Sequence, residues 1–282
     1  MQLRVTVYTP ESPLRHPVPL LGALFRDLAG AHELAWPLFV RDFSAQYRQT
    51  VLGYLWAFLP PLAAAATFVF LQSQGIVSTE PTTVPYAAFA LMGTVLWQTF
   101  VDAIQSPTTA VLNAKAMLAK VNFPREAILV SGLYMVIFNC LIRLVLLSGA
   151  MVWWKITPGS GLLMFPLAMA GLLLCGTAVG MLLLPIGTLY GDITRSIPIV
   201  TQFWMLLTPV VYPSVSVGLA GRIASWNPIS PVLTTARESL INVPFTELTP
   251  FYWISGTAFV LCLMGLLAFR LVMPLLIERM GS

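Results

Sequence analysis

The sequence predicts an all-α integral membrane protein: six transmembrane helices, amphipathic interface helices ahead of them, and a re-entrant outer segment between helices 5 and 6. Three observations carry this expectation. Hydrophobic residues make up 57% of the chain and charged residues only 9%, against about 25% charged in a soluble domain. Asp, Glu, Lys and Arg are missing from residues 49–79, 81–101, 127–142, 156–191, 196–221 and 248–269, as expected where an unpaired charge at the bilayer centre is costly. The basic residues that remain fall mostly on one side of the spans these stretches define.

Residues 1–50 read as a cytoplasmic N-terminal region. Arg4, Glu11, Arg15, Arg26, Asp27 and Glu33 break up its first part, so no apolar core of a signal peptide is expected. From Pro19 onward, Leu20, Leu21, Leu24, Phe25 and Leu28 recur at helical spacing. Beyond Pro37, Leu38, Phe39, Phe43 and Tyr47 continue the pattern, with Arg41, Asp42 and Arg48 between them. This predicts two amphipathic helices lying at the membrane surface.

Residues 51–282 form the transmembrane domain. A span needs about 20 apolar residues, which places helices at about 51–72, 86–106, 127–151, 162–189, 195–213 and 251–273. With the N-terminus inside, the inner segments carry Arg4, Arg15, Arg26, Arg41, Arg48, Lys115, Lys120, Arg125, Arg195, Arg270 and Arg279. The outer ones carry Lys155, Arg222 and Arg237. Eleven against three obeys the positive-inside rule and puts both termini in the cytoplasm. Trp153 and Trp154 close the third helix beside Lys155, as an interfacial aromatic belt would. The stretch 213–250 is too polar to span and too apolar for a free loop, hence the expected pair of re-entrant helices, which need burial in protein or a wet cavity.

Arg143 falls inside the third span, with Asn139 one turn earlier on the same face. Two readings stay open: a group lining a pore or dimer interface, or a side chain snorkelling to the outer surface near Trp153. Asp102, the one carboxylate near a span, is expected at a cytoplasmic end. Gly176 with Gly180, and Gly187 with Gly191, make two small-xxx-small pairs suited to close helix packing.

The missing chemistry is informative. No Gly-x-x-x-x-Gly-Lys precedes any of the three lysines, so no P-loop is expected to hold ATP. His16 and His32 form no HExxH, and no GxSxG elbow occurs. Cys140, Cys175 and Cys262 each sit alone in apolar runs, reading as small buried hydrophobes without disulfide or metal roles. No nucleic-acid patch is present. The expectation is a chain that moves a substrate without performing chemistry, with no cofactor or metal of its own.

Residues 38–62 read LFVRDFSAQYRQTVLGYLWAFLPPL. This block resembles the opening of the membrane subunits of polysaccharide ABC exporters, the ABC-2 type permeases of O-antigen, capsule and teichoic-acid export. Arg41, Asp42, Tyr47, Arg48, Gln49, Leu52, Gly53, Tyr54, Leu55 and Trp56 match the family pattern. In the same order follow Val84-Pro85-Tyr86, the turn NAKAMLAKVNFPRE at 113–126, LLTPVVYP at 206–213 and Trp226-Asn227-Pro228. The likeness covers roughly residues 35–275. Tyr190-Gly191-Asp192 departs from the family's usual YRD, and the C-terminus lacks its usual ending.

The resemblance implies a six-span homodimer in the bacterial cytoplasmic membrane that exports a lipid-pyrophosphate-linked polysaccharide. A separate ATP-binding subunit would hold ATP and Mg. Asn113, Lys115, Lys120, Phe123, Pro124 and Arg125 are then candidates for docking that subunit, although the lysines also serve as plain topology signals. Arg41, Asp42, Tyr47 and Arg48 are candidates for gating the carrier headgroup, because a pyrophosphate suits arginine forks, or for anchoring to lipid headgroups. Tyr54, Trp56, Trp97, Phe100 and Trp204, with Asn139 and Arg143, are candidates for a channel along which sugars stack. Two alternatives are an ABC-2 exporter of lipid or drug, and a membrane-embedded lipid-glycan transferase. The second predicts acidic or His clusters at the ends of the spans, which the sequence lacks.

Overall fold

In the computed structural model, residues 17–48, 50–51, 53–75, 82–118, 123–213 and 226–281 are described. Among them every regular element is helical. Helix α1 spans Pro17–Tyr47, α2 Leu59–Ser73, α3 Tyr86–Asn113 and α4 Lys115–Leu118. They are followed by α5 (Glu126–Trp153), α6 (Phe165–Leu189), α7 (Gly191–Leu207), α8 (Ile229–Glu238) and α9 (Leu248–Gly281). Short 3₁₀ turns at Gly53–Ala57 and Ser160–Met164 lead into α2 and α6.

Proline and glycine geometry marks the boundaries. Pro60 and Pro61 open α2 and Pro166 opens α6, where the first turn has no use for the missing N–H. Glu126 opens α5 in the turn where a helix dipole favours an acid. At the other end of α5, Lys155 takes a left-handed φ of 53°. Its N–H bonds the Val152 carbonyl, and the Ile156 N–H bonds that of Met151. This is the Schellman closure, built here on lysine instead of the usual glycine.

α3 is the central helix, buried on nearly every side and packed against α2, α5, α6 and α7. Its centre holds Met92, Leu96, Phe100 and Ile104, all essentially without solvent exposure. α6 crosses it closely at Gly176 and Gly180. A methyl at Gly176 would sit 2.7 Å from the Phe100 carbonyl oxygen and 2.6 Å from Ala103 Cβ, and one at Gly180 would overlap the Ile104 carbonyl. The first small-xxx-small pair therefore packs as expected. The second does not: Gly187 meets Thr108, but Gly191 faces open space because Tyr190 is extended and ends α6 between them.

Among the described residues, four helices are long and apolar enough to cross a membrane: Tyr86–Asn113, Glu126–Trp153, Ser160–Leu189 and Leu248–Met273. The chain is a multi-pass membrane protein. The expected first and fifth spans differ from the structure. The first divides into the 3₁₀ turn and a 15-residue α2, about 22 Å long. The fifth is the 17-residue α7, about 25 Å, which starts earlier than expected and stops at Thr208-Pro209, where the residue before proline disfavours the helix. The second span is longer than expected and runs on to Asn113.

The N-terminal region also differs. Among its described residues there is one helix, α1, that continues through Pro37, and α1 packs lengthwise on the first half of α5. His32, Trp36 and Phe39 meet Tyr134, and Phe39 and Phe43 meet Phe138, so the contacts climb both helices in the same order. Aromatic area on α5, which the amphipathic pattern of α1 did not reveal, supplies the partner. In the stretch 213–250 a short helix, α8, is almost wholly buried; residues 214–225 lie outside the described set.

Candidate functional site

Two polar regions lie within the bundle, one toward each end. At the end that carries α4 and the α5 start, a cleft of about 820 Å³ opens between α1, α3 and α5. α3 contributes Asp102, Gln105, Ser106, Thr109 and Asn113, a stripe at spacings of three and four that shares one helix face. α5 contributes Ser131, Met135 and Asn139 at intervals of four, and Arg143 continues the row. Arg41, Asp42 and Gln46 of α1 close the third side. Arg41 Nη2 meets Asp42 Oδ1 at 2.7 Å, and Arg41 Nη1 reaches Met117 Sδ at 3.8 Å, so this pair stands beside the Asn113 turn.

The deep end of the cleft is closed by an ion pair. Arg143 Nη1 lies 2.7 Å from Asp102 Oδ2, and Gln98 Nε2 donates to Asp102 Oδ1 at 3.2 Å. Arg143 Nε donates to the Ala57 carbonyl at 3.2 Å, tying α3 and α5 to the 3₁₀ turn before α2. Arg143 is only 4% exposed, so the snorkelling reading is set aside. The expectation that Asp102 marks a cytoplasmic end is corrected too. It lies eleven residues before Asn113, about 17 Å along α3, because the helix outruns the predicted span.

At the other end the junction is packed shut. Arg237 of α8 donates through Nη2 to the Pro209 and Val210 carbonyls at 2.9 and 2.5 Å, and its guanidinium lies 4.0 Å from the centre of the Phe89 ring. A methyl at Gly93 would overlap the Val210 carbonyl and stand 2.6 Å from Arg237 Nη2. Asn227 fastens the same place: its Oδ1 accepts from Trp204 Nε1 at 3.1 Å, and its Nδ2 donates to Thr208 Oγ1 at 2.7 Å. The LLTPVVYP and WNP segments thus bind each other. Arg237, read from the sequence as an outer-loop charge, is a buried clamp.

The sequence-predicted aromatic track divides in two. Trp97, Phe100 and Trp204 touch one another with ring centres 5.2–6.1 Å apart. Trp97 and Phe100 are buried, so this conformation packs them as core and presents neither face to a channel. Tyr54 is about half exposed and stacks on Phe43 at 5.6 Å, and Trp56 is half exposed. Of the docking candidates, Asn113, Lys115 and Pro124 are exposed and Phe123 and Arg125 half-buried. Lys120 lies outside the described residues, as does the Tyr47 side chain; Arg48 is exposed. Sequence reasoning missed Gln98, Gln105, Ser106, Thr109 and Ser131, although their helical spacing in otherwise apolar spans was a usable signal.

A third contact ties the ends of the chain together. Arg270 of α9 pairs with Asp27 of α1 at 2.7 Å and approaches Glu126 of α5 at 3.9 Å. Among the described residues, no group of three or more His, Cys, Asp or Glu side chains is placed to hold a metal ion.

A bundle of apolar helices with a helix laid along its outside, a polar cleft and a short buried helix clamped to the end of α7 fits a membrane transport domain. Residues 33–241 match the ABC-2 type transporter family, and the chain belongs to it. It is similar to the O-antigen export system permease protein RfbA of Myxococcus xanthus, 22% identical over 84% of this chain and 92% of that one. A Klebsiella pneumoniae protein of the same name is 22% identical over 82% of this chain and 88% of its own length. The polysialic acid transport protein KpsM of Escherichia coli is 21% identical over 83% of this chain and 91% of its own length.

Proposed function

We propose that this protein is the membrane-spanning subunit of an ATP-driven exporter that moves a lipid-pyrophosphate-linked polysaccharide across the bacterial cytoplasmic membrane. The observation that carries this reading is the extent of the likeness to permeases named for O-antigen and polysialic acid transport, which takes in over four-fifths of the chain. The subunit works as a homodimer and performs no catalysis; ATP and Mg bind the partner ATPase.

In this reading α2 and α7 complete six spans, with both termini cytoplasmic. The 3₁₀ turn ahead of α2 adds the length that its 15 residues lack. The cleft and the α3–α5 connection then face the cytoplasm, in keeping with the positive-inside rule. The connection docks the ATPase through Asn113, Lys115, Lys120, Phe123, Pro124 and Arg125. Ala114 and Leu118, both buried, seat that turn against the bundle while Lys115 stays exposed. Arg41, Asp42, Tyr47 and Arg48 receive the carrier headgroup; the Arg41–Asp42 pair is partly exposed, so a diphosphate can displace the carboxylate at modest cost. Tyr54 and Trp56 offer ring faces to sugar at the start of the first span.

Deleting the gene tests the transport reading. Finished glycan is expected to accumulate inside the cell and disappear from its surface; unfinished glycan would indicate a transferase, and unchanged surface glycan would end the proposal. Coexpression with the cognate ATPase tests the docking surface, because removing residues 112–126 is expected to abolish retention in a pull-down.

A further inference from the structure

We infer that the cleft between α1, α3 and α5 is a binding site for uncharged sugar units of the transported chain. This rests on the reading of the protein as a glycan exporter and assigns the sugar a place that the aromatic residues do not provide.

The charge of the cleft argues first. Arg41 in its lining and Arg143 behind its far end each have a carboxylate at 2.7 Å, Asp42 for Arg41 and Asp102 for Arg143. The charges cancel in pairs, so among the described residues below its mouth the cleft holds no spare cation for phosphate and no spare anion for a metal or amine. Its remaining polar lining is neutral: Gln46, Gln105, Ser106, Thr109, Asn113 and Asn139. Amides and hydroxyls both donate and accept hydrogen bonds, which matches sugar hydroxyls.

The apolar surface argues next. Ala45, Ala110, Gly132, Met135 and Val136 supply small, smooth patches between the polar groups, on which the C–H face of a pyranose can rest. About 820 Å³ lies within the size of known small-molecule sites. The Ser131 hydroxyl is already satisfied within α5, donating to the Ile128 carbonyl at 2.7 Å, so the other polar groups are the ones that meet the sugar. A stripe of amides and hydroxyls on membrane helices is costly against lipid tails and is expected to face protein, water or substrate.

Depth sets direction. The mouth lies by Arg41 and Asn113, and the far end is the Asp102–Arg143 pair. Arg143 also holds the Ala57 carbonyl. A sugar reaching the far end therefore touches the pair that fastens the lead-in of α2.

The test uses the full-length chain with its ATPase in inverted membrane vesicles, where the cytoplasmic face is outward. Thr109 is exposed, and a Thr109→Cys variant is labelled with a membrane-impermeant maleimide; the wild-type chain, labelled in parallel, corrects for the three natural cysteines. The probes are isomaltotriose, a neutral glucose trisaccharide, and inorganic pyrophosphate. Isomaltotriose at ten times its half-protecting concentration is expected to slow labelling about tenfold, well beyond any slowing by pyrophosphate held at the mouth. Protection by pyrophosphate alone, protection by neither, or failure of Thr109→Cys to label would each overturn the inference. A second measurement separates this inference from the transport reading: a Gln105→Leu, Thr109→Leu variant is expected to lower surface glycan about tenfold, whereas Thr109→Ser retains it. Loss of surface glycan on gene deletion without any effect of the leucine variant would remove the cleft site and leave the exporter standing. Unchanged surface glycan on deletion would remove the exporter reading itself.

Discussion

Arg143 and Arg237 are equally buried, each 4% exposed, yet they are held in opposite ways. Arg143 meets a carboxylate on a neighbouring helix at the end of a polar cleft. Arg237 is held by two backbone carbonyls and an aromatic ring. The adjacent Glu238 is engaged elsewhere, accepting from the Thr246 N–H at 3.0 Å and the Thr246 hydroxyl at 2.6 Å. The carbonyls that Arg237 satisfies belong to the bend after α7, where the helix has ended and backbone oxygens lack partners. Arg237 is thus part of a closed structure. Arg143 belongs to a paired set whose partner borders water-accessible space, and a pair of that kind can be rearranged by what enters the cleft.

The largest expected effect breaks the clamp side. Arg237→Leu removes the donor to two buried carbonyls and the guanidinium over Phe89, at a cost of about 3–5 kcal/mol. The yield of monodisperse detergent-solubilised protein and its Tm are expected to collapse. A Tm within a degree or two of wild type would show that the outer junction does not depend on Arg237.

Next comes the pair. Arg143→Gln leaves the Asp102 carboxylate at the end of the cleft without its counter-charge and with Gln98 as its remaining hydrogen-bond partner, and about 2–4 kcal/mol is expected to be lost. Adding Asp102→Asn should recover much of it, because no unpaired charge is then left. A double-mutant cycle on Tm reads the coupling, and additive effects would mean that the two side chains do not act as a pair. No partner change of this kind is expected to rescue Arg237→Leu, which sharpens the contrast between the two arginines.

Gly180→Leu strikes the α3–α6 crossing that both regions share. Overpacking against the Ile104 carbonyl should cost about 1–3 kcal/mol and lower Tm without selectively affecting maleimide access to Thr109→Cys. Smallest is Arg270→Gln at the tie to Asp27. Both side chains of that pair are about a third exposed, so the loss in stability should stay under about 1 kcal/mol. A larger drop would place α1 and α9 among the elements that the protein cannot loosen.

Much of the fold was legible because lipid imposes simple rules on sequence. Charge-free runs located α3, α5, α6 and α9, and the 38–62 block pointed to the family that residues 33–241 match. Proline and the residue before it set boundaries that hydropathy averages over, so α7 starts early and stops at Thr208. The continuous α1 was hidden by Pro37, which usually breaks a helix; packing against Tyr134 and Phe138 helps hold it straight through. The site was legible only in fragments. Arg143 and Asn139 stood out as polar residues in a span, but Asp102 looked peripheral because the helix carrying it was read seven residues too short.

What the sequence determined by itself is the solvent, the helical class and the basic end of the bundle, since these follow from which residue types tolerate hydrocarbon and from their period along one chain. What the tertiary structure decided is the pairing. A charge on one helix does not specify which neighbour will neutralise it. Asp102 and Arg143 stand 41 positions apart in the sequence and Arg237 and Val210 stand 27 apart, and only the close crossing of α3 with its neighbours brings each to its partner.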